Sequence, residues 1–385
     1  MTEELRDEIG QVPFVDHHVH APYERGHDIP PDEFRRPFTA ASIPAVWTEN
    51  IPTLVGYRWM VRELARLLGC APEENAVLAA RNGTDAARYH RLLADAANLG
   101  ACYADDLFAF GQCYPIDAWA ALIGRPVERV LRIETCVEQG YAACATLDDA
   151  LHRLTREITA PARRLVSLKS IAAYRSGLAF DPPSAPQRQE ATRAYRELRD
   201  ASLRGESGRI AEKALVDTIV WSALEAAAPL GLPMQFHVAF GDDDIVMTRN
   251  DPTLMRALFV HEPFRAVPLV LLHCYPFHRQ AGYLASTYPN VYADLGLTIP
   301  IIGPGAASVL AEALELCPTR QLLASTDGHM EPEFQWFSVF VWRWALARIL
   351  GQYVEWDILD RNAALDTARA VLHDNALRVY RAGGD

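Results

Sequence analysis

The residues of this sequence best suited to metal chemistry are polar side chains that directly follow apolar, β-favouring segments. His18 and His20 in VDHHVH are two residues apart. On an extended strand their imidazoles point to the same side and can reach one cation, whereas His17 points the opposite way. Four further residues each close a later apolar segment: Lys169 in SLKS, His237 in MQFHV, His273 in LLHCYP and Asp327 in ASTDGH.

A lone buried histidine is typical of a hydrogen-bonded core residue, and an isolated HxH pair is ambiguous between core and ligand. The complete set is more informative, because buried polar groups without partners lose about 1–3 kcal/mol each. We therefore expect these residues to share a divalent-metal site rather than to be dispersed in the core.

An α/β fold, the (β/α)8 barrel, would bring these residues together, because the C-terminal ends of its parallel strands share one mouth. Apolar runs predict strands at Val12–His20, Ala101–Phe110, Arg129–Glu134, Arg164–Ser170, Pro233–Val238, Val267–His273, Val291–Leu295 and Gln321–Thr326. Helical periodicity predicts helices at Leu147–Ile158, Gln187–Leu203, Gly208–Pro229, Pro252–Val260, Phe277–Tyr288, Ala306–Leu316 and Pro332–Leu350. Residues 21–98 are too many for one βα unit, so we interpret them as a mostly helical insertion after strand 1, with a helix at Gly56–Leu68.

The composition narrows the class of partner. The 385 residues, half of them hydrophobic, fit one barrel domain over 1–385. A net charge of −12 argues against nucleic acid and anionic membrane partners, so a small molecule is the expected substrate. No apolar run approaches the roughly 20 residues that cross a bilayer. The start MTEELRDEIG does not resemble a signal peptide, and we expect a cytoplasmic protein. Seven cysteines without CxxC spacing indicate neither a disulfide framework nor a thiolate zinc site.

The polar residues together resemble the pattern of the amidohydrolase superfamily. That pattern has an HxH pair after strand 1, a lysine after strand 4, histidines after strands 5 and 6, and an aspartate after strand 8. The resemblance implies a divalent-metal site formed by His18, His20, Lys169, His237, His273 and Asp327.

A narrower resemblance is carried by KSIAAYRSGL at 169–178, by HCYPFHRQAGYLASTYPNVYADLGL at 273–297 and by LLASTDGHMEPE at 322–333. These segments are similar to the amidohydrolase domain that precedes a glutamine-synthetase-like domain in plant nodulin-type and fungal developmental proteins. The resemblance implies hydrolysis of an amide C–N bond, with a γ-glutamyl amide or dipeptide-like molecule as the substrate.

The residue types support a mechanism for such a hydrolysis. A divalent ion on His18, His20 and His237 would lower the pKa of a bound water towards about 7. Asp327 can act as general base and then as general acid, and His273 can stabilise the oxyanion or hold a second ion. Zinc is the default ion, and manganese or iron fits the same ligands. Two alternatives stay open: a decarboxylase or isomerase of the same superfamily, and a metal-binding module without catalysis.

Lys169 decides between one metal ion and two, because a carboxylated lysine bridges two cations whereas a free ammonium repels the second. The sequence leaves both states open, and it also leaves open whether the protein is a homo-oligomer. The candidate substrate-binding residues lie near the expected mouth, and each has an ordinary structural alternative such as a salt bridge or a loop contact: Tyr174, Arg175, His278 and His329.

Overall fold

The computed structural model describes residues 2–109, 111–160 and 165–380. Eight parallel strands form one sheet in the order β1 to β8, a nearly closed barrel surrounded by helices, which confirms the predicted (β/α)8 fold. The strands are β1 Phe14–Val19, β2 Leu99–Asp105, β3 Val127–Arg132, β4 Leu165–Ser170, β5 Met234–His237, β6 Leu269–Leu272, β7 Val291–Asp294 and β8 Leu322–Leu323.

The helices follow the strands along the chain, with a cluster between β1 and β2 where the helical insertion was expected. They are α1 Thr2–Gln11, α2 Pro31–Arg35, α3 Val55–Leu68, α4 Glu74–Asn82, α5 Ala86–Ala96, α6 Ile116–Ile123, α7 Ile133–Glu138, α8 Leu147–Thr159, α9 Ala185–Leu203, α10 Lys213–Ala227, α11 Arg256–Val260, α12 His278–Thr287, α13 Thr298–Ile302, α14 Ala306–Leu314, α15 Pro332–Glu355, α16 Arg361–Arg369 and α17 Asn375–Tyr380. In the described part of the chain, no helix combines the length and the apolar character that crossing a membrane requires.

Several element boundaries differ from the predicted ones. Helix α10 begins at Lys213 rather than at Gly208, and α15 continues to Glu355. The predicted strand ends at Phe110 and Arg164 lie outside the described residues. The largest difference concerns β8, which pairs only at Leu322–Leu323 although an apolar run continues beyond it. Side-chain carboxylates replace the missing backbone pairing, as described below.

The chain divides into two compact units. Unit 1 comprises Met1–Glu128, Gly241–Asp243 and Asp294–Leu377. In its core the insertion packs against α15, since the Phe38 ring lies 5.3 Å from both the Tyr57 and the Phe334 rings. This aromatic cluster holds the segment that follows β8 in a defined position.

Unit 2 comprises Arg129–Phe240, Asp244–Ala293 and Arg378–Asp385. Strands β4, β5 and β6 pair in parallel there, with Leu168 opposite Met234 and Met234 opposite Leu269. All residues of β5 and β6 are buried. This continuous apolar pattern is typical of parallel strands covered on both faces.

Candidate active site

Unit 1 contains a group of three side chains able to hold a metal ion. The ligand atoms of His18, His20 and Asp327 lie within 4.8 Å of one another, and all three residues are buried. Asp327 Oδ1 is 3.0 Å from His18 Nε2 and 3.1 Å from His20 Nε2. Two imidazoles and one carboxylate are common ligands of a divalent first-row metal, so the residues present fit such an ion.

The orientation of His20 supports a role as a ligand. Its Nδ1 lies 3.3 Å from the Asp105 carbonyl oxygen, which can only accept a hydrogen bond. Nδ1 is therefore the donor in this contact, and Nε2 is the ring nitrogen that faces Asp327. A backbone carbonyl that fixes the tautomer in this way is typical of metal-binding histidines. The ring also stacks on Phe108, with 4.4 Å between the centroids.

Asp327 occupies an uncommon backbone conformation, with a φ of +52°. A non-glycine residue in the left-handed region costs on the order of 1–3 kcal/mol and is frequent at functional sites. Two backbone hydrogen bonds maintain it here: Asp327 N donates to the His18 carbonyl at 3.0 Å, and His20 N donates to the Gly328 carbonyl at 2.7 Å. The two histidines and the aspartate are thus joined through the main chain as well.

Two buried carboxylates, Asp16 and Asp294, hold the segment immediately before Asp327, and we call this pair the carboxylate clamp. Asp294 accepts hydrogen bonds from the backbone N–H of Ser325 at 3.0 Å and from its hydroxyl at 2.9 Å. Asp16 accepts the backbone N–H of Thr326 at 2.9 Å and the Thr326 hydroxyl at 2.5 Å. The clamp binds N–H groups that would otherwise extend the ladder of β8, which explains the short strand.

Further contacts surround the clamp. His17 Nε2 lies 3.4 Å from Asp294 Oδ1, and both side chains are fully buried. Gln335 of α15 donates to Asp16 at 2.8 Å, and burial raises the pKa of Asp16 to about 6. Sequence reasoning missed both clamp residues. An acidic residue within or at the end of an otherwise buried strand was the available signal.

The loop after Asp327 also carries His329, one of the predicted substrate-binding residues. His329 Nδ1 donates to the Asp327 carbonyl at 2.6 Å, and burial lowers the pKa of the His329 imidazole. The side chain is therefore kept neutral, with Nε2 as an acceptor. His329 therefore lies against Asp327 rather than at the protein surface.

Buried ion pairs connect the insertion to the segment that follows this loop. Arg81, at the end of α4, contacts Glu331 at 2.6 Å and Glu333 at 2.8 Å. Arg25 reaches the other oxygen of Glu331 at 2.5 Å. Because breaking a buried pair leaves a charge without its partner, these contacts tie the insertion firmly to residues 331–333.

In unit 2, the predicted site residues follow β4, β5 and β6. Lys169 is buried at the end of β4. His237 Nε2 donates to the Phe240 carbonyl at 2.8 Å, and the Tyr174 hydroxyl lies 3.4 Å from His237 Nδ1. The His237 and His273 rings are 4.5 Å apart. His273 also has a left-handed backbone, with a φ of +70°.

A third buried carboxylate holds the end of β4. Glu134, at the start of α7, accepts the Ser170 hydroxyl at 2.6 Å and the Ile171 backbone N–H at 3.2 Å. Burial raises the pKa of Glu134 above its usual range. The contact fixes the turn that directly follows Lys169.

Arg175 and His278 complete the predicted set. Arg175 is buried, and its Nη1 contacts Glu138 at 3.2 Å and the Ile210 carbonyl at 2.9 Å. Burial lowers the pKa of Arg175, and its Nε has no hydrogen-bond partner among the described residues. His278 begins α12, where its ring is parallel to that of Tyr275 with 5.9 Å between the centroids.

Comparison with known proteins shows the family to which this chain belongs. Residues 173–382 match the family model described as Amidohydrolase. Protein fluG of Emericella nidulans is 27% identical over 98% of this chain and 46% of its own length, so the chain spans about half of that relative. This match confirms the resemblance to the fungal proteins.

Two solved structures are similar over nearly their whole length. A Lactobacillus casei protein, provisionally described as a metal-dependent hydrolase, is 27% identical with a TM-score of 0.86, covering 98% of this chain and 97% of that one. A uronate isomerase from Bacillus halodurans has a TM-score of 0.68 at 13% identity, covering 100% and 96% of the two chains. The second likeness shows the shared fold alone.

Proposed function

We propose, from the premise that this chain belongs to the amidohydrolase family, that it is a metal-dependent hydrolase cleaving an amide C–N bond of a small molecule. The observation that carries the proposal is the buried group of His18, His20 and Asp327, whose ligand atoms lie within 4.8 Å of one another. The similarity to the Lactobacillus casei protein gives further support.

We propose that His18, His20 and Asp327 hold one divalent ion, with zinc as the first candidate and manganese or iron fitting the same donors. When bound, such an ion acts as a Lewis acid towards the scissile carbonyl and favours the deprotonated form of a water molecule. The remaining tasks belong to side chains of this protein.

Asp327 is the proposed proton carrier. Its carboxylate accepts a proton from the attacking water and then delivers it to the nitrogen of the leaving amine, which departs as a neutral molecule. The left-handed backbone and the clamp restrict the positions this carboxylate can occupy. His273 is the proposed hydrogen-bond donor to the oxyanion of the tetrahedral intermediate.

The resemblance also implies metal-binding roles for Lys169, His237 and His273, which we retain as proposals. The burial of Lys169 is consistent with two states, a carboxylated side chain that bridges a second ion and an ammonium paired with an acid. Counting the ions bound per chain distinguishes them.

Substrate recognition is proposed to involve Tyr174, Arg175, His278 and His329. The Arg175 Nε, which has no partner among the described residues, is the donor available for a substrate carboxylate. A γ-glutamyl amide or a dipeptide-like molecule carries both an amide bond and such a carboxylate. This substrate class comes from the resemblance carried by residues 169–178, 273–297 and 322–333.

The test combines elemental analysis with a substrate screen on the metal-loaded protein. γ-Glutamyl amides and dipeptides are assayed for released amine, and uronates are assayed in parallel for isomerisation. We expect amine release from at least one amide, and its loss on metal chelation. Isomerisation of a uronate without amine release would contradict hydrolysis while leaving the metal assignment intact. Asp366→Asn, an exposed carboxylate on α16, is the matched control for Asp327→Asn.

A further inference from the structure

Unit 1 contains a cavity that the proposed reaction does not use. Its volume is about 680 Å³, and its walls come from α1, α3 and α15. This volume is within the range of small-molecule sites, roughly 300–1,000 Å³. The lining combines aromatic rings with arginine side chains.

The aromatic part of the lining is contributed by α3 and α15. The Trp59 ring lies 5.0 Å from that of Trp344 and 5.4 Å from that of Phe340, and both contacts are edge-on. Trp336 also lines the cavity. Trp59, Phe340 and Trp344 are only partly buried, and all three line the cavity. Such rings offer flat apolar surfaces for stacking with a planar ligand.

Three arginines line the cavity: Arg6 is exposed, Arg66 pairs with Glu63, and Arg343 on α15 lies beside the aromatic rings. One of its nitrogens, Nη2, donates to the Val12 carbonyl at 2.8 Å. Its Nε is buried and has no hydrogen-bond partner in the described part of the chain. None of the ion pairs between described residues includes Arg343, and burial lowers its pKa to about 10. A partly buried guanidinium without a counter-charge is unfavourable, and an anionic ligand would offset this cost.

The acidic residues that line this cavity do not neutralise the charge of Arg343. Glu63 is already engaged, because it accepts the Trp59 indole N–H at 3.1 Å and pairs with Arg66 at 2.5 Å. Asp7 is exposed at the cavity rim, beside the exposed Arg6. Arg343 is therefore the group that an incoming anion would meet among the rings.

The cavity is separate from the metal-binding residues. Arg343 contacts Val12, which precedes β1, whereas His18 lies near the other end of that strand. None of His18, His20 and Asp327 lines the cavity, and the part of β1 from Phe14 to His18 alone spans about 13 Å at roughly 3.3 Å per residue. A ligand in the cavity would not touch His18, His20 or Asp327.

We propose that this cavity is a second binding site, taking a small molecule with a planar apolar body and one carboxylate. The carboxylate pairs with Arg343, and the body lies against Trp59, Phe340 and Trp344. Helix α15 also supplies Trp342, whose indole N–H donates to the Ser325 carbonyl at 2.8 Å, two residues before Asp327. A molecule in the cavity would therefore contact the same helix that also contacts Ser325, a residue held by the carboxylate clamp.

The test is calorimetric titration of the full chain with 2-naphthoate, using the neutral 2-naphthalenemethanol as the matched probe. We expect naphthoate to bind at least about 10-fold more tightly than the alcohol, given the strength of charge-assisted hydrogen bonds. Arg343→Met is expected to remove that difference, and Trp344→Ala to weaken both probes. Arg343→Lys, which keeps the charge, retains part of the preference and covers the case in which the methionine variant is unstable.

His20→Ala separates this site from the metal site, because it is expected to bind naphthoate as the wild type does. Absence of naphthoate binding would overturn the proposal. Binding that is lost in His20→Ala and unchanged in Arg343→Met would also overturn it, since the probe would then be in the metal site. So would a dimer in size-exclusion chromatography that Arg343→Met dissociates, because a second copy of the chain would then cover the cavity.

Discussion

The ends of β1 and β8 and the ends of β5 and β6 present side chains of similar chemistry, but their surroundings differ. At β8 the backbone before Asp327 is bound by the carboxylates of Asp16 and Asp294. At β5 the His237 imidazole donates to the carbonyl of Phe240, three residues further along. In the first region, the backbone that carries Asp327 is held by carboxylates from other strands, whereas at His237 one ring nitrogen donates to a carbonyl three residues away and the other faces Tyr174.

This difference indicates which of the two regions is better arranged to hold a metal ion. Ligands must be held in place before the ion arrives, and side chains further out provide that restraint. The clamp, the Asp105 carbonyl and the left-handed backbone of Asp327 all act on the three residues of unit 1. The following predictions test whether that region carries the metal and the proton transfer.

The largest expected effect is on turnover, from Asp327→Asn. Asparagine cannot accept and return a proton, so kcat at saturating metal should fall by at least about 100-fold. The measurement is steady-state amine release, with Asp366→Asn as the control that should behave as wild type. Activity of Asp327→Asn within a few fold of wild type would remove the proton-carrier role.

A clamp substitution should affect metal binding without removing a ligand. Asp294→Asn weakens the restraint on Ser325, and outer contacts of this kind change metal affinity by about 10–100-fold. Competition with a chelator measures the affinity. Asp217→Asn, a buried carboxylate on α10, is the matched control. Equal affinities for the two variants would show that the clamp does not position Asp327.

His237→Ala tests the second region. Because both ring nitrogens are engaged by Phe240 and Tyr174, we expect metal affinity to fall less than about 10-fold, below the range for typical supporting residues. The same chelator competition applies. A loss as large as that of His20→Ala would instead show that His237 holds the ion as strongly as the residues of unit 1 do, with no difference between the two regions.

The smallest expected effect is a change in pH dependence, from Glu134→Gln. Burial raises the pKa of Glu134 in the folded protein above its usual value of 4.5. The folded state then holds the Glu134 proton more tightly than the unfolded state. The contribution of Glu134 to stability therefore falls as the pH rises from 4.5 through the raised pKa of the folded state. Denaturant unfolding of both proteins between pH 4 and 8 should show the wild type losing stability relative to the variant. A constant difference would refute this assignment.

The sequence predicted the barrel because its apolar runs and amphipathic stretches alternate along the chain. It also singled out His18, His20 and Asp327, which the fold brings together, since HxH on a strand and an aspartate closing another are local signals. It could not predict the clamp, because Asp16 and Ser325–Thr326 are over 300 residues apart and meet only in the fold. The end of β8 was missed for the same reason: residues 324–326 have a strand pattern, but side chains take their hydrogen bonds.

The central claim is that His18 and His20 hold a divalent ion together with Asp327. Elemental analysis of His18→Ala and His20→Ala, loaded identically with the wild type and with the exposed-residue control His152→Ala, tests it most directly. We predict bound metal in the wild type and in the control, and a large loss of metal in both site variants. Unchanged metal stoichiometry in His18→Ala and His20→Ala would contradict the claim.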